Sequence, residues 1–468
     1  MKLLVFGTGE YYERFKKWIA GGEVVALLDN SPAKQHRVID GVEVLSPREG
    51  VGRQYEAVVI MSFYIKSMKK QLMELGVSEK KIYHFYDLRK LIRLEDNRQQ
   101  IQYYGTTEQE LLKNAEKTVG LLSTDLALGG TAIALFNMAK VLKKLGYQVV
   151  FASMIDGPLR KRIEELDIPV VVDANLQLAT MRETTWLAGF KLILCNAINY
   201  YIFLTERDLS IPTIWWLHDS AFFYDGVDKE ILRKIQEENL KILSVGSVPE
   251  KALHQVLPEI PIEQLLYGVD DTAGRAVKKP PHEKICFVTI GFIEERKGQD
   301  ILLRAVSLLE PEIRNQAVFY LIGQDTSLLA ARIKEDVEQI PEIRLTGPVG
   351  REGIDQMLRK ADVMICPSRE DPMPTVAVEA MSYGVSCVVS NVTGTASYIY
   401  EKENGLIFDC ENAEMLAQKI RWCIENRDRL EQMGENARQI YERYFSMEVF
   451  EKNVVEICGK EINYETRC

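Results

Sequence analysis

The stretch VMICPSREDPMPTVAVEAMSYG, residues 363–384, sets the reading of this chain. Val363–Cys366 is a short apolar run of the kind that forms a strand buried on both faces. Pro372 and Pro374 exclude helix before Thr375, so a helix is predicted to begin there with Thr375 as its N-cap. The free N–H groups and positive dipole end of such a helix suit a phosphate. Glu379 follows about one turn later, in a segment that otherwise reads Val-Ala-Val-x-Ala-Met. A carboxylate there is costly to bury without a partner, and its two oxygens could accept both hydroxyls of a ribose.

The same strand–loop–helix pattern extends in both directions. Towards the C-terminus, apolar runs at 285–290, 318–322, 343–345, 363–366 and 386–389 alternate with amphipathic stretches. The chain then reads as charged helix from Ala413 to about Ile457, broken near Phe445–Ser446. Towards the N-terminus, runs at 119–122, 149–152, 170–172, 192–195, 213–217 and 242–245 repeat the spacing. Strands buried on both faces and alternating with helices predict parallel, doubly wound sheets. The first residues form a third such unit: strand Lys2–Phe6, Gly7-Thr8-Gly9, a helix through Trp18, then strand Glu23–Leu28 ending at Asp29. Tyr12 stands where a third glycine would complete the dinucleotide fingerprint.

This gives an α/β chain of two tandem Rossmann-like doubly wound domains preceded by a small Rossmann-like domain. The expected boundaries are 1–92 for the small domain, 93–117 for a polar linker, and 118–280 and 281–445 for the two larger domains. A C-terminal helix, 446–468, is expected to return to the N-terminal half. Gly268-Val269-Asp270 and the Lys/Pro-rich stretch Lys278–His282 mark the boundary near 280.

Of 468 residues, 46% are hydrophobic and 27% charged, which excludes wholesale disorder. The net charge of −10 argues against a nucleic-acid binder. It is unevenly spread: residues 1–117 hold 19 basic and 16 acidic residues, the remainder 39 and 52. An anion bound by the larger part must therefore be held by a few local donors. No segment reaches the roughly 20 apolar residues of a membrane span. All eight cysteines lie at or after Cys195, without a CxxC pair, so a reduced, cytoplasmic protein with no metal site is expected.

Three more clusters carry chemistry. Arg296-Lys297-Gly298 follows a strand, where two adjacent cations reach a diphosphate or form an ordinary solvated turn. His218-Asp219 ends the strand Thr213–Leu217, facing a ligand or serving structure. Gly129-Gly130 presents backbone donors to an anion or makes a tight turn. The stretches Asn175–Trp186 and Ala221–Asp228 carry Trp186, Phe222, Phe223 and Tyr224, aromatics that stack on sugar or fill a surface.

In these motifs, residues 118–458 resemble glycosyltransferase family 4. The matching stretches are GG at 129–130, WWLHD at 215–219, SVGS at 244–247, YGVD at 267–270, GFIEERKGQDILLRA at 291–305 and SREDPMPTVAVEAMSYG at 368–384. The resemblance implies the GT-B fold and transfer of a sugar, with retention, from a nucleotide-sugar donor, a UDP-sugar favoured. It implies donor binding mainly by the C-terminal half, acceptor binding mainly by the N-terminal half, and no cofactor or metal. Lys297 then matches the diphosphate-binding lysine and Glu379 the ribose-binding second glutamate of the E-x7-E motif. Asp371 takes that motif's first position, and His218 matches the active-site histidine. Gly129, Gly130, Arg296 and Thr375 complete the implied donor set. Phe292 stands where many members have a second diphosphate-binding arginine, and Ser397 where a glutamate is common.

The first 90 residues resemble small nucleotide-sugar-binding domains through FGTG at 6–9, LLDNSP at 27–32 and GVEVLSP at 41–47. This makes Gly7, Gly9 and Asp29 a candidate nucleotide site; an assembly surface, or a domain that has lost its ligand, is the alternative. The expected function is a retaining hexosyltransferase of bacterial-type surface polysaccharide or glycan synthesis, with a glycan or glycoprotein acceptor. It is placed in the cytoplasm, with peripheral contact at the inner membrane face and self-association left open. The competing class is a non-catalytic GT-B-shaped partner subunit.

Overall fold

The computed structural model describes residues 1–62, 64–92, 100–274, 283–324 and 328–459. Lys278–His282, the start of the expected linker and the last nine residues lie outside the described residues. The chain divides into two compact units, Met1–Ile242 with Lys251–Ile262, and Leu243–Glu250 with Glu263 onward.

The first unit holds two sheets. The smaller contains β1 (Lys2–Phe6), β2 (Glu23–Leu28), β3 (Val38–Ile39), β4 (Val42–Leu45), β5 (Ala57–Ile60) and β6 (Ile82–His84), in the order β3-β4-β2-β1-β5-β6. All its neighbouring strands are parallel except the β3–β4 ribbon. The larger is built from β7 (Gln102–Tyr104), β8 (Thr118–Ser123), β9 (Gln148–Ser153), β10 (Val170–Val172), β11 (Leu192–Asn196), β12 (Thr213–Leu217) and β13 (Leu240–Ser244). Their order is β13-β12-β11-β8-β9-β10-β7. The last two residues of β13 pair with β14 (Glu263–Gln264). One continuous apolar cluster joins the two sheets' layers, from Phe6, Phe15, Trp18 and Phe85 to Trp186, Tyr200 and Trp215.

The stretch read as a linker contributes β7, which runs antiparallel to β10 at the sheet edge. An edge strand needs partners on one side only, so a short polar segment suffices.

The second unit carries a parallel sheet of β15 (Ile285–Ile290), β16 (Ala317–Ile322), β17 (Ile343–Gly347), β18 (Val363–Cys366), β19 (Ser386–Ser390) and β20 (Gly405–Phe408). The order is β17-β16-β15-β18-β19-β20, so the order of winding reverses between the parallel neighbours β15 and β18. Ligands bind outside the carboxyl ends of the strands at such a switch point. Gly268-Val269-Asp270 belongs inside this unit. The Val269 amide donates to the Phe445 carbonyl at 2.8 Å, Tyr441 Oη donates to the Val269 carbonyl at 2.8 Å, and Asp271 pairs with Arg438 at 2.5 Å. The helix Met447–Cys458 packs Met447 and Phe450 against Gly268.

Candidate functional site

In the second unit the carboxyl ends of β15 and β18 carry the residues that the sequence singled out. After β15 the chain turns through Gly291 and a short 3-10 segment, Glu295–Lys297, into the helix Gln299–Ser307. Gly298 joins the two with φ +68°, and a Cβ there would overlap the Pro367 carbonyl. Only glycine satisfies both demands, and it brings Lys297 against the loop after β18. That loop is fixed along its length. The Arg369 amide donates to the Arg296 carbonyl (2.8 Å), Ser390 Oγ donates to the Ser368 carbonyl (2.6 Å), and the Gly394 amide donates to the Asp371 carbonyl (2.9 Å). Arg369 adds a two-pronged bridge to Asp300 at 2.8 and 2.7 Å and a further pair with Glu411.

Lys297 and Asp371, 74 positions apart, meet as a close ion pair, Nζ to Oδ2 at 2.6 Å. Asp371 is buried, while Lys297 keeps 18% of its side chain exposed, so the ammonium is the partner that a ligand can reach. Arg296 lies at the edge of this pair, 3.7 Å from Asp371, held by Glu294 at 2.8 Å and the Glu370 carbonyl at 3.2 Å.

The helix after the loop spans Thr375–Ser382, and its N-cap is Pro374. Thr375 is thus the first helical residue and its hydroxyl makes no cap, which corrects the expectation. Pro374 already has the extended backbone of a cap, and its carbonyl takes the amides of Ala377 and Val378. The N–H groups of Thr375 and Val376 remain at the open helix end. Glu379 is paired with Arg351, Oε1 to Nη1 at 2.8 Å. Arg351 opens the helix Arg351–Lys360, which Gly350 caps shortly after the end of β17. It was missed in the sequence because nothing local ties it to Glu379, 28 positions away. Phe292 is 57% exposed at the tip of the β15 loop, and Ser397 is exposed too.

The remaining candidates belong to the first unit. Gly129 caps the helix Gly130–Lys144 with φ −82° and ψ 160°, ordinary extended backbone, and a Cβ on it would meet nothing within 4 Å. Neither glycine takes a positive φ, so no tight turn demands them. Asn196, at the end of β11, donates to the Thr131 carbonyl in the first turn of that helix at 2.8 Å.

His218 follows β12 with its ring against Trp216, centroids 4.3 Å apart. Its Nε2 is buried and has no hydrogen-bond partner among the described residues. Burial pushes its pKa down to about 3, so the ring is a neutral imidazole at physiological pH. Beside it, burial pushes the Asp219 carboxyl up to about 7, against the hydrogen bond it receives from the Ile198 amide at 2.6 Å. Ala197, just before, holds a φ of +125°, a strained value for a residue with a Cβ.

In the small sheet Gly7, Gly9 and Asp29 are brought together. Gly7 takes φ +105°, and a Cβ on it would sit 2.6 Å from the Met61 carbonyl oxygen. Asp29 is engaged by its own neighbours: Thr8 Oγ1 at 2.5 Å, the Ser31 amide at 2.9 Å and Lys34 Nζ at 3.1 Å. Burial works against its ionisation, but the bonds from Thr8 and Ser31 and the Lys34 ammonium hold its carboxyl below the usual range.

Comparison with known proteins fits this geometry. Residues 270–440 match the sequence profile of the family described as glycosyl transferases group 1, and residues 1–83 that described as C2185-like, N-terminal. A D-inositol 3-phosphate glycosyltransferase 1 of Catenulispora acidiphila is 26% identical over 50% of this chain and 58% of its own length. A second curated relative, from Streptomyces coelicolor, is covered over 39%; the chain thus spans about half the length of these curated relatives. The uncharacterized glycosyltransferase MJ1178 of Methanocaldococcus jannaschii is 27% identical over 68% of this chain and 91% of its own. Among solved structures, Anabaena Alr3699/HepE in complex with UDP and glucose superimposes with a TM-score of 0.63 at 17% identity, covering 74% of this chain and all of that one. A sucrose-phosphate synthase of Thermosynechococcus elongatus gives 0.60 at 17% identity, covering 74% of this chain and 98% of its own. Residues 270–440 therefore form a glycosyl transferases group 1 domain, and the chain has the α/β fold of the GT-B glycosyltransferases.

Proposed function

We propose that the protein is a retaining glycosyltransferase that moves a hexose from a nucleotide-sugar donor, a UDP-sugar, to a glycan or glycoprotein acceptor of bacterial-type surface glycan synthesis. The observation that carries this reading is the Lys297–Asp371 pair beside the open helix end at Thr375, inside the group 1 domain. Its relatives include glycosyltransferases by name, and a structural neighbour holds UDP and glucose.

The chemistry follows from charge. Breaking the bond between sugar and diphosphate leaves negative charge on the diphosphate and develops positive charge on the ring. Lys297, Arg296 and the Thr375 helix end would receive the first. At about 4 Å and an effective dielectric near 20, one unit charge interacts with another by about 4 kcal/mol. That is about a thousandfold in rate, enough to matter without a metal. Asp371 would take donor sugar hydroxyls and Glu379 the ribose hydroxyls, Arg351 orienting the latter. Neutral His218 is suited to positioning and polarising, and acceptor attack is on the leaving-group face, the phosphate taking the acceptor's proton.

The test is nucleoside diphosphate release from a panel of nucleotide sugars in the presence of EDTA. Release from one donor, lowered about a thousandfold in Lys297→Ala, is expected. A second reading, a non-catalytic partner subunit, draws on exposed Phe292 and Ser397 where the resemblance implies charged donor contacts. No release, with no donor binding by calorimetry, would favour it. Cytoplasmic placement with peripheral membrane contact belongs to this proposal; among the described residues no helix is long and apolar enough to cross a membrane. Flotation with anionic vesicles would test the contact.

A further inference from the structure

The small sheet at the N-terminus is built into the loops that carry His218. Tyr86, on the short 3-10 segment after β6, is buried, and its hydroxyl donates to Asn199 Oδ1. Asn199 lies in the loop after β11, whose Ile198 amide holds the Asp219 carboxylate at 2.6 Å. Asp219 directly follows His218, and Ala197 in the same loop is strained at φ +125°. A strained turn persists only where its surroundings over-determine it. The Tyr86 ring also packs edge-on to Tyr201, centroids 6.0 Å apart, and against Gly226, where a Cβ would sit 3.0 Å from it.

The same contact continues along the loop after β12. Lys66 pairs with Asp225 at 2.5 Å and Lys90 with Asp228 at 2.8 Å, and Asp228 caps the helix Lys229–Leu232. On the other side Arg14 pairs with Asp125 at 2.8 Å. Asp125 also receives the Ala127 amide at 3.0 Å, in the segment leading to Gly129.

The geometry points to Tyr86 as a positioning residue: through Asn199 and the Ile198–Asp219 bond, the N-terminal domain sets where His218 stands. The domain is on this view a wall of the His218 site. The inference rests on the glycosyltransferase reading for its kinetic arm only.

The decisive variant is Tyr86→Phe, which keeps the packed ring and removes only the hydroxyl. Turnover, donor KM and the His218 imidazole NMR signal are compared with wild type, the signal being assigned by its loss in His218→Asn. Expected are a kcat lowered about tenfold, as a small displacement of a reacting group would produce, a donor KM within about twofold of wild type, and a shifted His218 signal. If kcat or the signal stays at its wild-type value, the assignment falls. Should Tyr86→Phe not fold, Asn199→Ala removes the same bond from the other side and is judged identically. A wild type inactive on every donor overturns the functional reading instead, and the His218 signal alone then decides this one.

Discussion

At the scale of single residues, the Lys297–Asp371 pair joins stability to function. Removing Lys297 leaves the buried Asp371 carboxylate with only the more distant Arg296, 3.7 Å away, at a cost of about 1–3 kcal/mol. Lys297→Ala should therefore lower the melting temperature as well as turnover. Adding Asp371→Asn should restore most of the melting temperature and none of the turnover; calorimetry beside the release assay checks this. Asp219 makes a separate prediction. Its folded pKa is near 7 against an ordinary 3.8, so between these values the folded state holds the extra proton. Stability from this group falls as pH rises through that window and is flat above it. Melting curves of Asp219→Asn and wild type should therefore diverge from about pH 4 to about pH 7 and run parallel above, the variant gaining. Curves parallel throughout would remove the buried-acid reading.

Among elements, strand-and-helix alternation made the parallel sheets legible. Gaps of 17 residues before the run 363–366 and 19 after it, each long enough for a crossover helix, leave few other folds. What stayed hidden depended on non-local contacts. β7 is polar because it needs only β10, and β20 is four residues long beside β19. The helix starts at Thr375 as expected, but its cap is Pro374, because backbone geometry supplied by proline does the work expected of a hydroxyl. Of the candidate site, the sequence singled out Lys297 and Asp371 in separate motifs without their pairing, and it missed Arg351, since an ion pair across 28 or 74 residues leaves no local pattern. The linking element offers a test. Gly298→Ala must move either the β15 loop or the Pro367 carbonyl, so it should lose about 1–3 kcal/mol of stability, as strained backbone does, together with most turnover. Equal melting and turnover would mean that the junction is slack.

Across the first unit as a whole, the uneven charge of the sequence has a structural meaning. The N-terminal domain offers Arg14, Lys66, Arg89 and Lys90; the layer behind β7–β13 answers with Asp125, Asp225, Glu183 and Asp228. Arg89 grips Glu183 with both nitrogens at 2.8 and 2.9 Å, and Trp18 Nε1 donates to the Ala174 carbonyl at 3.1 Å. With a shared apolar cluster beneath these pairs, chain continuity is not what keeps the domain in place. A protease site inserted between Ile92 and Ile101, once cut, should leave two pieces that co-elute on gel filtration; separate elution would show that the domain is merely tethered.

The one-sided pairing of those four cations also bears on how such proteins diversify. A domain fastened by Arg14, Lys66, Arg89 and Lys90 cannot be shuffled between chains as a free cassette. A chimera that takes only residues 1–92 from a relative strands acids on the recipient, or meets neutral positions where acids should be. Productive recombination would have to carry Asp125, Glu183, Asp225 and Asp228 along, so the domain and the loops it grips should be inherited as one block.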